Sequence, residues 1–425
     1  MKAEIIAVGS ELLTPSKIDT NSLYLTRLLG ERGIPLARKS VVGDDRKLLA
    51  SEIRRARASS DLVIVTGGLG PTLDDLTRDA ASDATGRPLV RHERIVRDIE
   101  SIFQRFNRPM ASVNERQAYV LKGAAALPNS RGTAPGQWLE DEQGILVLLP
   151  GPPRELEPLF AESCLPLLDR HTSERKFYTQ CLRVAGIGES DLEQSIGAIY
   201  AATPGVATTI LSSPGDIQVH LRAQAETEAG ARAIAEALGA RIRGRLGDAV
   251  YSTNGEPLDA TVAGMLRERR IRIASAESCT GGLLAAKLSK IPGSSEYFAG
   301  GFVSYSESAK CRWLGVGDGL LEACGAVSAE AAAAMAEAAR QRVLETAGGP
   351  AIGVATTGFA GPGGGTERDP VGTVYFGIAD ERGTGTVRRQ LGRGRGRVRT
   401  LAVQLALDLV RRRVLGLDTG VLRAR

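Results

Sequence analysis

Short β-branched runs alternating with helical patterns over brief connections constrain the fold of this chain more than any other feature. AEIIAVG near the start, LARKSVVGD and DLVIVTGG are separated by helix patterns from about Asn21 to Arg32 and from about Arg46 to Ala58. Such spacing implies parallel strands joined by crossover helices, so helices should cover both faces of a sheet. Gly144 to Pro150 (GILVLLP) reads as a further buried strand, and the loop PGPP leads into a helix from Arg154 to about Leu168. The first domain then spans residues 1–169.

The hydrophilic stretch Arg170 to Lys176 reads as a boundary. Beyond it, FYTQCLRV, a glycine turn, a helix, the alternating strand DIQVHLRAQA and a helix from about Glu226 to Arg243 suggest a small α+β domain with an antiparallel sheet, residues 176–250. YSTNGEPL (Tyr251 to Leu258) reads as a second linker. From Asp259 the alternation resumes: a helix, strand RIRIASA, a helix from Cys279, strand FVSY, a helix from Ser328 to about Leu344, strands AIGVATTG and GTVYFGIA, and a helix from about Arg397 to Val414. The fold class is therefore α/β: a doubly wound N-terminal domain, a small α+β middle domain and a C-terminal α/β layer domain, residues 258–415.

Composition narrows the function. The 425 residues carry 54 Lys+Arg against 49 Asp+Glu, a formal net charge of +5, but Glu381 to Arg425 alone holds twelve arginines and three acidic residues, a balance of +9. Residues 1–380 are thus slightly acidic, at −4, and the basicity belongs to the tail. With 18 Phe, Tyr and Trp in all, the chain lacks the stacking platforms of a single-strand binder, so a nucleic-acid partner is not expected. No apolar run approaches the length of about 18 residues needed to cross a bilayer. Glu4 and Glu11 interrupt any secretory h-region, and five scattered cysteines without CxxC spacing read as reduced thiols, which together place the protein in the cytoplasm with no membrane partner. Only three histidines occur (His92, His171, His220), which leaves little room for a His-based triad or a multi-His metal centre.

Two loops carry candidate chemistry. In Thr66-Gly67-Gly68-Leu69-Gly70-Pro71-Thr72-Leu73-Asp74-Asp75, glycines follow a buried strand and precede a helix, where an open α/β sheet binds ligands and backbone N–H groups can approach a phosphate. The carboxylates can hold a divalent cation or, equally on spacing alone, cap the helix. Val42-Gly43-Asp44-Asp45, at the end of the neighbouring strand, should open on the same edge. In the C-terminal domain, Ala276-Glu277-Ser278-Cys279-Thr280-Gly281-Gly282 closes a strand and opens a helix, placing the Ser278 hydroxyl at a helix N-terminus. A lysine of lowered pKa can deprotonate such a serine, and GFVSYSESAK supplies Tyr305 and Lys310 from another strand end. Ser278 also reads as an N-cap, Lys310 as a solvated charge and Tyr305 as a core ring. Cys279 is a second possible nucleophile. The glycine loops Gly293-Ser294-Ser295 and Thr356-Thr357-Gly358-Phe359-Ala360-Gly361-Pro362 at further strand ends favour a phosphorylated ligand.

These motifs also carry a family resemblance. GGLGPTLDDLT, VGSELL, NSRGTAPG and LPGPPREL resemble the N-terminal domain of the CinA family (competence/damage-inducible protein A), itself similar to molybdopterin-binding proteins. ASAESCTGG, GSSEYFAGGFVSYSESAK, GAVS, TGFAGPGGG and PVGTVYFG resemble the family's C-terminal domain, and the region between them resembles a KH-like fold. The resemblance implies that the C-terminal domain is a hydrolase converting nicotinamide mononucleotide (NMN) to nicotinic acid mononucleotide and ammonia without a cofactor, in pyridine nucleotide recycling. It implies Ser278 as nucleophile, Lys310 as base with Tyr305 in support, a substrate contact from Thr357 and a phosphate-binding arginine near Arg395, within the run 393–399; the glycine loops themselves add Thr280, Gly281, Gly282, Ser295 and Gly361 as substrate-binding candidates. For the N-terminal domain it implies ADP-ribose as ligand or pyrophosphatase substrate at Gly67, Gly68, Gly70 and Thr72, with a divalent metal at Asp44 and Asp75 and help from K+. A homodimer is implied as well. This chain departs from the family pattern in Ser130, where the family reads proline, and in PGPP for PGVP. Two other readings stay open: a nucleotide- or pterin-binding protein without turnover, and an RNA binder through the KH-like region, although Gly186-Ile187-Gly188 does not supply a GxxG loop.

Overall fold

Continuous apolar runs form strands buried on both faces, and three of them build the N-terminal sheet: β1 (Ala3–Val8), β2 (Leu36–Val42) and β3 (Leu62–Thr66), with β1 parallel to both neighbours. In the computed structural model of the chain, residues 1–105, 107–171 and 176–420 are described. A short ribbon pairs β4 (Leu89–Arg91) with β5 (Tyr119–Leu121), and β6 (Ala125–Leu127), β7 (Gly136–Asp141) and β8 (Gly144–Leu149) complete a sheet of order β2-β1-β3-β8-β7-β6. Alternate residues of one strand feed two cores. Ile5, Ile64 and Val147 pack on one face with the helix Thr20–Glu31, while Ile6, Val63, Val65 and Leu146 pack on the other with the helix Arg46–Ser59. Each such side chain stabilises the layer by about 1.5–3 kcal/mol through removal from water.

The β7 and β6 strands are antiparallel additions that the apolar pattern did not announce, because GQWLED mixes polar residues into a short strand. The helix expected over Arg154–Leu168 is divided into Pro153–Leu159, a widened turn at Phe160–Cys164, and Leu165–Leu168. Pro166 lacks the N–H that a continuous α-helix would donate, and the wider turn accommodates the gap.

By internal contacts the described chain falls into two units, Met1–Phe177 with Ala225–Thr227, and Tyr178–Gln224 with Glu228–Arg425. Residues 172–175 of the hydrophilic boundary, and Arg423 and Arg425 of the basic tail, lie outside the described residues. The second unit holds two sheets. In the first, β9 (Lys176–Val184), β10 (Val206–Ser213), β11 (Asp216–Ala225) and β12 (Val250–Ser252) take the order β10-β11-β9-β12, with helices Glu189–Ala201 and Glu228–Leu246. The supposed linker thus begins inside β12, which pairs antiparallel with β9.

The second sheet runs β14-β13-β15-β16-β17, from β13 (Arg272–Glu277), β14 (Phe298–Val303), β15 (Ala351–Gly358), β16 (Thr373–Asp380) and β17 (Gly383–Gln390). Strands β14, β13 and β15 are parallel, and β16 and β17 return antiparallel. The helix Ala329–Ala347 packs with Ala274, Ala276 and Ala355 of the sheet, and the helices Leu258–Glu268 and Arg395–Leu415 pack with Ile273, Val354 and Phe376. Small residues make the first approach possible: a Cβ on Gly353 would lie 1.9 Å from the Ala336 carbonyl oxygen. Among the described residues no helix is long and apolar enough to cross a membrane.

Candidate active site

The carboxyl ends of β13 and β15 are where the serine loop leaves the sheet. The helix expected from Cys279 starts only at Leu283, because Gly281 (φ 57) and Gly282 (φ 91) are left-handed and cannot continue a right-handed helix. Ser278 therefore sits in an irregular loop ahead of the helix rather than at its cap. The residue that shapes this loop is Glu277, which sequence reasoning passed over. Its buried carboxylate accepts from the backbone N–H groups of Gly282 (2.9 Å), Leu284 (3.0 Å) and Ala285 (2.7 Å), supplying the acceptors that a helix start lacks. An acidic residue a few positions before a Gly-Gly helix start was the available signal.

Ser278 is 8% exposed, and its Oγ lies 3.1 Å from the Nζ of Lys310 on the helix Glu307–Leu314. Lys310 is 1% exposed and, among the described residues, forms no ion pair with a carboxylate; Nζ donates to the carbonyls of Ser304 (2.9 Å) and Tyr305 (3.4 Å). Burial pushes its ammonium below the ordinary lysine value, because the charged form loses water. The three N–H groups of the ammonium match Ser278 Oγ and the two carbonyls, and loss of the proton directed at Ser278 leaves a lone pair facing that hydroxyl. Cys279 is buried, and burial pushes its thiol up to about 12, so at neutral pH it carries no thiolate. The backbone N–H of Ser278 is taken by the Thr356 carbonyl at 2.9 Å, whereas among the described residues those of Cys279 and Thr280 donate to no backbone carbonyl.

The other sequence-derived candidates separate. Thr280 is fully buried, its hydroxyl against Thr356 Oγ1 at 2.7 Å, so this side chain ties the serine loop to β15. Thr357 is fully buried and its hydroxyl donates to the Ala326 carbonyl at 2.6 Å. The Tyr305 ring is 58% exposed; its main-chain carbonyl holds Lys310, while its phenol oxygen accepts from Arg395 Nη2 at 3.1 Å. Arg395 also donates to the Gly361 carbonyl at 3.0 Å, tying the glycine loop to the start of its helix. Arg399, one turn on, donates to the Thr280 carbonyl at 2.8 Å, and a Cβ on Gly281 would sit 3.2 Å from its guanidinium. Within the run 393–399, Arg395 and Arg399 are thus the arginines at the serine loop. Ser295 is a correction. It precedes β14, whose register runs from Phe298 beside Ile273 to Val303 beside Glu277, so the loop lies at the opposite end of the parallel strands, about 16 Å away at strand rise.

In the N-terminal unit, a cavity of about 690 Å³ opens at the carboxyl ends of β1, β3 and β8 and is lined by Gly67, Gly68, Gly70, Asp44 and Asp75 among others. The glycine loop follows the strand so closely that a Cβ on Gly67 would meet the Val8 carbonyl at 2.4 Å. Two arginines clamp it from behind: Arg78, buried and pushed down to about 10 by desolvation, donates to the Leu69 and Gly70 carbonyls, and Arg116 to that of Thr72. Asp75 closes the loop on itself, accepting from the backbone N–H groups of Gly70 and Thr72 and from the Thr72 hydroxyl. Thr72 is therefore occupied and does not line the cavity. Asp44 accepts from the Ser10 N–H, and Asp45 caps the helix Arg46–Ser59. Both Asp75 carboxylate oxygens are engaged within the loop, whereas only Oδ2 of Asp44 is engaged, by the Ser10 N–H, and among the described residues no group of three His, Cys, Asp or Glu is placed to hold an ion. The cavity is nonetheless strongly acidic, with Glu11, Asp19, Asp44, Asp74, Asp75 and Glu155 against Lys17.

A family model described as a probable molybdopterin binding domain matches residues 4–170, the damage-inducible protein CinA KH domain matches 179–252, and the CinA C-terminal domain matches 255–414. A CinA-like protein of Solibacter usitatus is 49% identical over 416 residues, covering 98% of this chain and 99% of its own. A CinA-like protein of Koribacter versatilis is 45% identical over 419 residues, covering 98% and 100%. Among solved structures, the protein CinA from Thermoplasma acidophilum is 29% identical over 40% of this chain and 98% of its own, with a TM-score of 0.36.

Proposed function

The chain belongs to the CinA family, and from that premise we propose that its C-terminal domain hydrolyses the carboxamide of NMN to nicotinic acid mononucleotide and ammonia. The observation that carries this reading is the buried Lys310 with its Nζ 3.1 Å from the Ser278 hydroxyl. Neutral Nζ takes the proton as Oγ attacks the carboxamide carbon, and the oxyanion is met by the N–H group of Cys279. The lysine then returns the proton to the departing nitrogen, the C–N bond breaks and ammonia leaves an ester on Ser278. Water, deprotonated by the same amine, attacks the ester, and its collapse frees the carboxylate and restores the serine. Arg395 and Arg399 are the cations suited to the phosphate of the nucleotide.

The test is ammonia release from NMN by the full chain. Wild type should turn over, and Ser278→Ala should be inactive; full activity in Ser278→Ala would remove the reading.

For the N-terminal unit we propose ADP-ribose as the ligand of the glycine-loop cavity, which lies at the carboxyl ends of parallel strands and has a volume suited to such a molecule. Six carboxylates around an anionic ligand call for accompanying cations, so calorimetric binding should depend on added Mg²⁺. Binding unaffected by chelator would contradict this. Binding without release of AMP would favour a binding module over a pyrophosphatase.

A further inference from the structure

The arginine run divides by position. Arg395 and Arg399 turn to the serine loop, whereas Arg393 and Arg397 line a different cleft, between the β9–β12 sheet and the C-terminal sheet within the second unit. That cleft encloses about 860 Å³. Its floor is apolar, from Ile187, Ile217 and Leu401, and both arginines are exposed in it, with no hydrogen bond or ion pair to any described residue. The turn Gly186-Ile187-Gly188 adds the N-terminal end of the 13-residue helix Glu189–Ala201 to the same space, and Ser212 and Ser213 add hydroxyls. Of the lining residues only Glu189 is acidic. The walls are fixed relative to each other: Arg411 donates to the Asp248 carbonyl at 2.8 Å, and a Cβ on Gly215 would meet the side chain of Gln404 at 2.8 Å.

Two unpartnered guanidinium groups over an apolar floor match a molecule with a charged end and a flat apolar end. We propose that this cleft is a second ligand site, separate from the serine loop and the N-terminal cavity, which takes a small phosphorylated ligand of the nucleoside-phosphate class through Arg393 and Arg397. The volume falls within the range of about 300–1,000 Å³ typical of small-molecule sites. No aromatic residue lines the cleft, so it lacks the stacking surface that a nucleic-acid strand would use.

Calorimetric titration of the full chain with ADP, and separately with inorganic pyrophosphate, tests the proposal. Wild type should bind one more ADP per chain than Arg393→Ala/Arg397→Ala, or bind it at least about tenfold more tightly, as expected for loss of charge-assisted hydrogen bonds. Arg395→Ala/Arg399→Ala should retain the additional site, and Ser213→Trp, which fills the cleft and leaves both arginines, should remove it. Pyrophosphate should compete for it. Equal stoichiometry and affinity in wild type and Arg393→Ala/Arg397→Ala, with melts confirming that both are folded, would overturn the proposal. So would retention of the site in Ser213→Trp, or salt-sensitive RNA binding at these arginines with no response to ADP.

Discussion

In the proposed reaction Lys310 decides the chemistry, because a buried amine with two carbonyl acceptors and, among the described residues, no ion pair gives up its proton more readily than an exposed one. Its folded-state pKa lies below the ordinary lysine value, so the active neutral form appears as pH rises through that lowered value. The pH profile of kcat/KM for NMN should therefore have a rising alkaline limb whose midpoint lies below about 10.4. Lys310→Arg, which does not deprotonate in this range, should abolish turnover at every pH, and a rising limb surviving in that variant would assign the titration elsewhere. Arg395→Ala should act on binding instead. Loss of one charge-assisted contact to phosphate predicts a KM raised about tenfold with a smaller change in kcat, measured by steady-state kinetics. The sequence made Ser278 and Lys310 legible as residue types at strand ends. It did not separate Tyr305 into a main-chain carbonyl that holds the lysine and an exposed ring that holds Arg395, since that depends on which way the chain turns after β14.

At the scale of elements, the serine loop is built by Glu277 and two left-handed glycines. Glu277→Ala removes an acceptor for three backbone N–H groups and should cost about 3 kcal/mol, lowering the melting temperature by roughly 6–10 °C. NMN turnover should fall with it, because the same carboxylate sets where Ser278 leaves the strand. Gly281→Ala forces an L side chain into φ 57 and towards Arg399, for a cost of about 1 kcal/mol on thermal denaturation and a larger loss of activity. Central strands such as β1, β3 and β8 were legible because burial on both faces demands uninterrupted apolar runs. The edge strands β10 and β17 were not, since VATTILSS and GTGTVRRQ are half exposed and resemble loop sequence. Helix starts at Gly282 and the widened turn before Pro166 depend on backbone geometry that an apolar pattern does not encode.

At the scale of the molecule, the C-terminal chemistry rests on a unit larger than its own sheet. Tyr251 and Ala185 pack in the C-terminal core, the Tyr251 hydroxyl donates to Asp216, and Arg411 reaches Asp248. A chain begun at residue 255 should therefore melt at a lower temperature than one begun at residue 178, and equal melting would show that the middle region contributes nothing to the core. The basic tail acquires a structural meaning on this scale: part of it serves the serine loop and part the neighbouring cleft, a division by helical position that composition alone could not show. The central claim is that a serine and a neutral lysine hydrolyse a nucleotide amide. It is tested most directly by ammonia release from NMN at several pH values, with the full chain, Ser278→Ala and Lys310→Met compared side by side. Wild type should release ammonia in a pH-dependent manner and neither variant should; release by Lys310→Met at the wild-type rate would contradict a lysine base.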